Sequence, residues 1–428
     1  MASGFGRLRR HLADTTPLRT PAFRRLWTAN IVTVIGAQLT VVAVPAQIYA
    51  MTGSSAYVGL AGLFGLVPLV VFGLYGGALA DHLDRRTLLV ITTVGLIVTG
   101  GFFFAQAALD LQNVWVLLGI FALQQAFFAV NQPVRSSILP KLLPLEQIPA
   151  AQALSMTVLS AGAIAGPLVG GALIPVLGFA TLYLVDALTL FATLYAVVTL
   201  PPLPVENPQG SPGLRSILDG FRYLRGRSVL LMSFVVDLIA MVFGLARALF
   251  PQIAHESFGG PPAGGLVFAL LFAAMPVGVL LGGLFSGWMS GVRRQGRAVV
   301  VAILVWGLSM LLFGVSVGLA SVWLVPMLVV ALATQVVGGA ADMASSAFRN
   351  SILLEAADDA VRGRLQGIFI VVVSGGPRLA DVLHGGVGSV IGPAWTAALG
   401  GALVVVLLLA AVRAVPSFLA YRPRWAES

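Results

Sequence analysis

No cysteine occurs in the 428 residues, which excludes disulfides, thiolate metal ligands and thiol catalysis. Charge is scarce too: Asp, Glu, Lys and Arg make up 10% of the chain, where a soluble domain carries about 25%. The four histidines, His11, His82, His255 and His384, fall in separate places and form no HExxH or other metal-ligand spacing. A P-loop is missing as well, so ATP-driven work is not expected, and neither a metal nor a cofactor is. An enzyme is therefore not the expected class. What is abundant is apolar surface, with 58% hydrophobic residues and a mean hydropathy of +0.97.

A bilayer core demands runs of about 20 apolar residues. Twelve are legible, near 26–51, 56–80, 87–108, 114–134, 150–173, 177–199, 228–251, 264–289, 297–319, 322–346, 366–390 and 394–416. Of the 25 lysines and arginines, all but Arg247 and Arg378 lie at the termini or in alternate connections. They run from Arg7 to Arg25, then Arg85 and Arg86, Arg135 and Lys141, Arg215 to Arg227, Arg293 to Arg297, Arg349 to Arg364, and Arg413 to Arg424. The intervening connections, 52–55, 109–113, 174–176, 252–263, 320–321 and 391–393, hold none. Cytoplasmic loops are the basic ones. The pattern predicts an even number of spans in the plasma membrane, with both termini and the 200–227 connection in the cytoplasm. The net charge of +9 is spread over these segments without a basic face, so anionic lipid, and not nucleic acid, is the expected electrostatic partner. The start, MASGFGRLRRHLAD, is basic but lacks a following apolar core, so no cleavable leader is expected.

The expected organisation is a cytoplasmic segment 1–25, a six-helix bundle 26–199, a linker 200–227, a second six-helix bundle 228–416 and a tail 417–428. In the linker, Leu214, Ile217, Leu218, Phe221 and Leu224 recur at helical spacing opposite Arg215, Asp219, Arg222 and Arg225. That pattern predicts a short amphipathic helix on the membrane surface, or else a plain tether. The halves repeat: Val134-Arg135-Ser136-Ser137-Ile138-Leu139 is echoed half a chain later by Phe348-Arg349-Asn350-Ser351-Ile352-Leu353. A weaker echo links Gly77 to Asp81 with Gly283 to Gly287. Duplicated six-helix halves mark transporters whose substrate site lies between them at the midplane.

Gly77-Ala78-Leu79-Ala80-Asp81-His82-Leu83-Asp84-Arg85-Arg86 resembles the signature loop of the major facilitator superfamily, and Gly162-Ala163-Ile164-Ala165-Gly166-Pro167-Leu168-Val169-Gly170-Gly171 is similar to the span 5 motif of its drug and proton antiporters. Val42 to Ile48, Gly220 to Leu224, Arg362-Gly363-Arg364 and the order around Asp237, Arg247 and Phe250-Pro251 resemble the enterobactin (siderophore) exporter branch. The resemblance implies an all-α membrane fold of 12 transmembrane helices in two pseudo-symmetric bundles, working by alternating access. It also implies that Asp81 meets the inner end of span 11 and helps close an inner gate. Small residues at Gly77, Gly162, Gly166 and Gly170 let helix backbones approach closely, as small-xxx-small spacing does in lipid, and Pro167 removes a backbone hydrogen bond within span 5. Arg85 and Arg86 set topology or take part in the gate. Two departures stand out. Asp84 replaces the usual glycine of the loop, and span 4 has Phe121 and Ala122 ahead of Gln124 and Gln125, where proton-coupled members often carry an arginine.

Ionisable groups inside a span cost about 2.5–3.5 kcal/mol each at a helix centre, so those retained are functional candidates. They are Asp186, Asp237, Asp342, Arg378, Asp381 and His384, with Arg247 near the outer end of span 7. Depth favours Asp237 as a cavity-facing proton carrier, about 12 Å into its span at 1.5 Å per residue. Arg378, Asp381 and His384, three apart on one helical face, form either a proton-exchanging cluster or a static Arg378–Asp381 pair. Asp342 and Arg349 are expected to pair at the inner gate, and Asp186 to accept a packing hydrogen bond. Under the superfamily arrangement the cavity would be lined by Gln38, Gln47, Gln124, Gln125, Phe128, Asn131, Met241, Phe243, Arg247 and Gln335, a set of amides and rings suited to an amphipathic aromatic ligand. Each glutamine could equally bridge helices. The expected function is export of a siderophore or similar metabolite by proton antiport, against a multidrug efflux pump as the alternative and solute symport third. The expected partners are a small-molecule substrate, protons and lipid, with the chain acting as a monomer.

Overall fold

In this computed structural model the backbone is described for residues 14–202, 222–224, 226–356 and 359–422, and side chains for the same residues except 74–82, 356 and 359–371. Of the linker pattern at 214–225 only 222–224 is described, and the Asp81, Gly77 and Arg362-Gly363-Arg364 side chains fall outside the described set. Among the described residues, ten helical segments are long and apolar enough to cross a membrane. One of these, Leu145–Val198, is two crossings joined at Gly178, whose φ of 71° and ψ of 166° only glycine adopts readily. Asp359–Ile391, a 33-residue helix, completes a set of twelve.

In chain order these are α1 (Pro21–Thr52), α2 (Ser55–His82), α3 (Arg85–Ala108), α4 (Val114–Ser137), α5 and α6 (148–177 and 179–198), α7 (Ser228–Gly244), α8 (Leu266–Leu284), α9 (Gln295–Gly318), α10 (Leu324–Ala356), α11 (Asp359–Ile391) and α12 (Pro393–Ala414). Two expected boundaries are wrong. The 174–176 connection is helical and the turn is the single residue Gly178. Span 7 is broken: α7 stops at Gly244, and Leu245 and Ala246 lead into a 3-10 turn Arg247–Leu249 and a π-turn Ile253–Ser257.

Helix faces explain the packing. On α3, Leu88, Leu89, Thr92, Thr93, Phe103 and Gln106 are buried, while Ile91, Val94, Val98 and Phe102 recur at three to four residues and stay exposed. The apolar side faces out and the polar side in, as lipid requires. Trp115, Trp323 and Trp395 are exposed at the start of α4, α10 and α12, at one end of the bundle, where indoles prefer the membrane interface.

Helices α1–α6 form one half and α7–α12 the other, and the halves touch through α2 with α11 and α5 with α8. One hydrophobic cluster crosses between them, joining Val42, Tyr49, Val58 and Ile174 to Leu249, Phe250, Ile253 and Phe268. It lies at the end away from the basic residues. Among the described residues, the clusters at the basic end stay within one half, Leu26, Leu88, Val134 and Val197 on one side and Leu230, Val299, Phe348 and Phe418 on the other. Cross-half hydrogen bonds follow the same division: Tyr49 Oη donates to Glu256 Oε1 at 2.7 Å, Ser55 Oγ to Gly385 O at 3.2 Å, and Gly265 N to Gly171 O at 2.8 Å. The structure is sealed at the end without basic loops.

Glycine makes that seal possible. A Cβ on Gly59 would lie 2.6 Å from the carbonyl oxygen of Asp381, and one on Gly62 would collide with that of Arg378. Backbone therefore meets backbone where α2 crosses α11. The span 5 glycines do the same inside the first half, Gly162 against Val34, Gly166 against Gln38, and Gly170 against Leu39 and Val42 of α1.

Candidate transport cavity

Below the seal, between the halves, lies a cavity of about 600 Å³. Its far wall reaches Trp27, Ser136 and Gln152, at the basic end of α1, α4 and α5, so it runs from the sealed end towards the basic one. Of the expected lining, Gln38, Gln124, Gln125, Phe128, Asn131 and Arg247 are present, and Arg378, Asp381 and Asp186 join them.

Four expected lining residues sit elsewhere. Gln47 is buried in a polar knot, its Oε1 accepting from Gln106 Nε2 at 3.0 Å and from Tyr183 Oη at 2.8 Å. Gln335 is 2% exposed within the second half. Met241 packs on Gly376, and Phe243 ends α7 beside Gly400. Periodicity places a residue on a span but not its azimuth, which the partner helices decide.

The charged groups pair differently from expectation. Arg247 Nη2, in the 3-10 turn beyond α7, lies 3.3 Å from Asp381 Oδ2 of α11. Arg378 is left to a neutral partner: its Nη2 donates to Gln125 Oε1 at 2.9 Å, and its Cζ stands 5.6 Å from the centre of the Phe121 ring. Gly65 on α2 makes room for it, since a Cβ there would come within 2.5 Å of Arg378 Nη1. The guanidinium absent from span 4 is thus delivered to span 4 by α11, onto the Phe121 and Gln125 that marked the departure. No static Arg378–Asp381 pair forms.

Asp237 does not face the cavity. Arg349 Nη1 lies 2.5 Å from Asp237 Oδ2 with side-chain exposures of 4% and 1%, so the pair joins α7 to α10 inside the second half. Arg349 Nε also donates to Ser345 Oγ at 3.2 Å, and Asp342 is close enough to feel the Arg349 charge. The expected Asp342–Arg349 gate pair is therefore corrected to an intra-half Asp237–Arg349 clasp. The first half repeats it in neutral form, with Arg135 Nη2 of α4 donating to Asn30 Oδ1 of α1 at 2.7 Å. Asn30 was not singled out by sequence; the echo marked Arg135 and Arg349 but not their partners.

His384 stands apart from Arg378 and Asp381. Its Nε2 lies 3.1 Å from Phe243 O and its Nδ1 3.0 Å from Ala380 O. Where α7 breaks, the Phe243 carbonyl has no helical donor ahead, and His384 supplies one. A neutral imidazole has a single N–H, so both contacts are hydrogen bonds only in the imidazolium. Asp186 accepts from Thr40 Oγ1 at 2.5 Å, as a packing acceptor should. Asp84 Oδ1 accepts from Thr87 N at 2.9 Å, so this departure from the loop pattern caps α3. Arg86 Nη2 donates to Val198 O at 2.6 Å at the end of α6, where a cation complements the helix dipole.

Among the described residues, membrane-length helices arranged in two halves around a central cavity define an integral, multi-pass transporter of the major facilitator type. The chain belongs to the transmembrane secretion effector family of that superfamily, whose model matches residues 13–422. Among curated proteins it is similar to the enterobactin exporter EntS of Citrobacter koseri, 30% identical over 412 residues and 93% of each chain. EntS of Shigella boydii is 28% identical over 411 residues, 93% of this chain and 94% of that one. Solved structures share the fold: the nucleoside transporter NupG has a TM-score of 0.72 at 14% identity, covering 94% of this chain and 100% of that one. A D-xylose–proton symporter has a TM-score of 0.72 at 12% identity, with the same coverage of 94% and 100%. The siderophore-exporter resemblance read from short motifs thus holds along nearly the whole chain.

Proposed function

We propose that this chain exports a siderophore across the plasma membrane by proton antiport and alternating access, with both termini and the basic loops in the cytoplasm. The observation that carries the reading is the cavity, sealed at the end without basic residues and lined by amides and aromatic rings, in a chain whose curated relatives are named enterobactin exporters. A substrate loaded from the basic, cytoplasmic side would leave when the Tyr49–Glu256 end parts. Asp381 is the best placed coupling carboxylate because it lines the cavity and its partner, Arg247, reaches it from the turn that follows α7. Asp237, locked to Arg349, and His384, holding α7, are better suited to structure. Asp342 remains the second coupling candidate, and the inner-gate role of Asp81 rests on the resemblance alone.

The test compares metabolites in the medium of cells with and without this gene under iron limitation. Loss of one iron-binding metabolite from the medium supports siderophore export. Unchanged metabolites with altered dye retention instead select a multidrug pump.

A further inference from the structure

The cavity carries three cations, Arg135, Arg247 and Arg378, against two carboxylates, Asp186 and Asp381. Each carboxylate is occupied, Asp186 by Thr40 and Asp381 by Arg247, and Arg135 rests on Asn30. Arg378 differs. Among the described residues no carboxylate lies within ion-pair distance of it, and its five N–H groups donate one hydrogen bond, to a neutral amide. A guanidinium inside a span is costly without a counter-charge. A purely structural arginine would take Asp381, one helical turn along the same helix, but Asp381 faces Arg247 instead.

We infer that Arg378, with Arg247 beside it, is the binding site for an anionic oxygen pair carried on an aromatic ring, so that the transported substrate is an aromatic acid held in its ionised form. The geometry supplies each part. Phe121 lies under Arg378, and Phe128 and Gln124 lie farther along the same helix and the same wall. A guanidinium fork accepts a carboxylate in two parallel hydrogen bonds and stays cationic at every working pH. Asp381 competes for this site: it pairs with Arg247, and a bound anion would take its place. The inference deepens the export reading by naming the chemistry of its substrate, and rests on that reading for the direction of transport.

The test is calorimetric binding to the full-length protein in lipid nanodiscs, using salicylate and salicylamide. These probes share ring and hydroxyl and differ in charge. Salicylate is expected to bind about tenfold more tightly or better, the scale of one charge-assisted hydrogen bond. Arg378→Gln should bring the two probes within about twofold, while Asp381→Asn should tighten salicylate several-fold by removing its competitor. Equal binding of both probes to the unmodified protein overturns the inference, and needs no variant to fold. So does a preference that survives Arg378→Gln, or weaker salicylate binding in a folded Asp381→Asn protein. A preserved anion preference with an unchanged cellular metabolite profile would sustain the inference and sink siderophore export. Loss of a metabolite from the medium with no anion preference would do the reverse.

Discussion

Replacing Asp237 with asparagine tests how the second half is held together. The pair with Arg349 is almost fully buried at 2.5 Å, so Asp237→Asn strands a guanidinium between α7 and α10. Removing one partner of a buried pair costs about 3–5 kcal/mol. Asp342 offers Arg349 part of a replacement, which places the expected loss near the lower limit, about 3 kcal/mol. For a unit the size of one half, each kcal/mol moves the midpoint by about 2–4 °C, so a fall of roughly 6–12 °C is expected. The assay is thermal unfolding of the purified protein, followed by aggregation or intrinsic fluorescence. The double variant Asp237→Asn, Arg349→Gln should recover most of the loss, because it removes both charges together. Reconstituted in liposomes, that double variant should still move protons with substrate. An unchanged midpoint in Asp237→Asn would refute the energetic argument. A stable double variant with abolished proton movement would refute the assignment of Asp237 to structure.

The neutral clasp of the first half should be weaker: Asn30→Ala loses one hydrogen bond to a charged group, about 1.5–3 kcal/mol, and lowers the midpoint by less than Asp237→Asn. Asp381→Asn should still exchange substrate across liposomes but lose accumulation against a gradient, and full coupling in this variant would turn attention to Asp342. Tyr49→Phe removes the hydrogen bond to Glu256 and should favour the state open at that end by roughly tenfold, read as faster labelling of a cavity cysteine from that side; unchanged labelling would discard the latch. For topology, single cysteines at Ser211 and Pro262 should be labelled by an impermeant thiol reagent in intact cells at 262 only, and the reverse would invert the orientation.

The number of spans was legible because apolar length and alternating basic loops each report it independently, and a close helix approach at span 5 was legible in the Gly162, Gly166, Gly170 spacing, though not that its partner is α1. Charge pairing was not. Sequence neighbours on one helix, Arg378 with Asp381 and Asp342 with Arg349, were the natural guesses, yet each arginine found its partner on another helix, where burial and not chain distance selects the contact. The break after Gly244 was also hidden, since Leu245 and Ala246 read as ordinary helix formers. At the break, His384 and the close approach of Gly400 take up the Phe243 carbonyl, contacts made across helices and not along the chain. Six of the ten expected lining residues border the cavity, five of them on α1 and α4, whereas Gln47 is held by Tyr183 and Gln106.

The Asp237–Arg349 clasp also sets a timetable for synthesis. Asp237 leaves the ribosome roughly 110 residues ahead of Arg349, and at about 5–20 residues per second it enters the membrane some 5–20 s before its partner exists. During that interval the carboxylate is carried by its own segment, and Ser228–Ser257 has a mean hydropathy of 2.5 over its best window, enough apolar length to hold one acid in lipid unaided. The second bundle is therefore built to insert early and neutralise late.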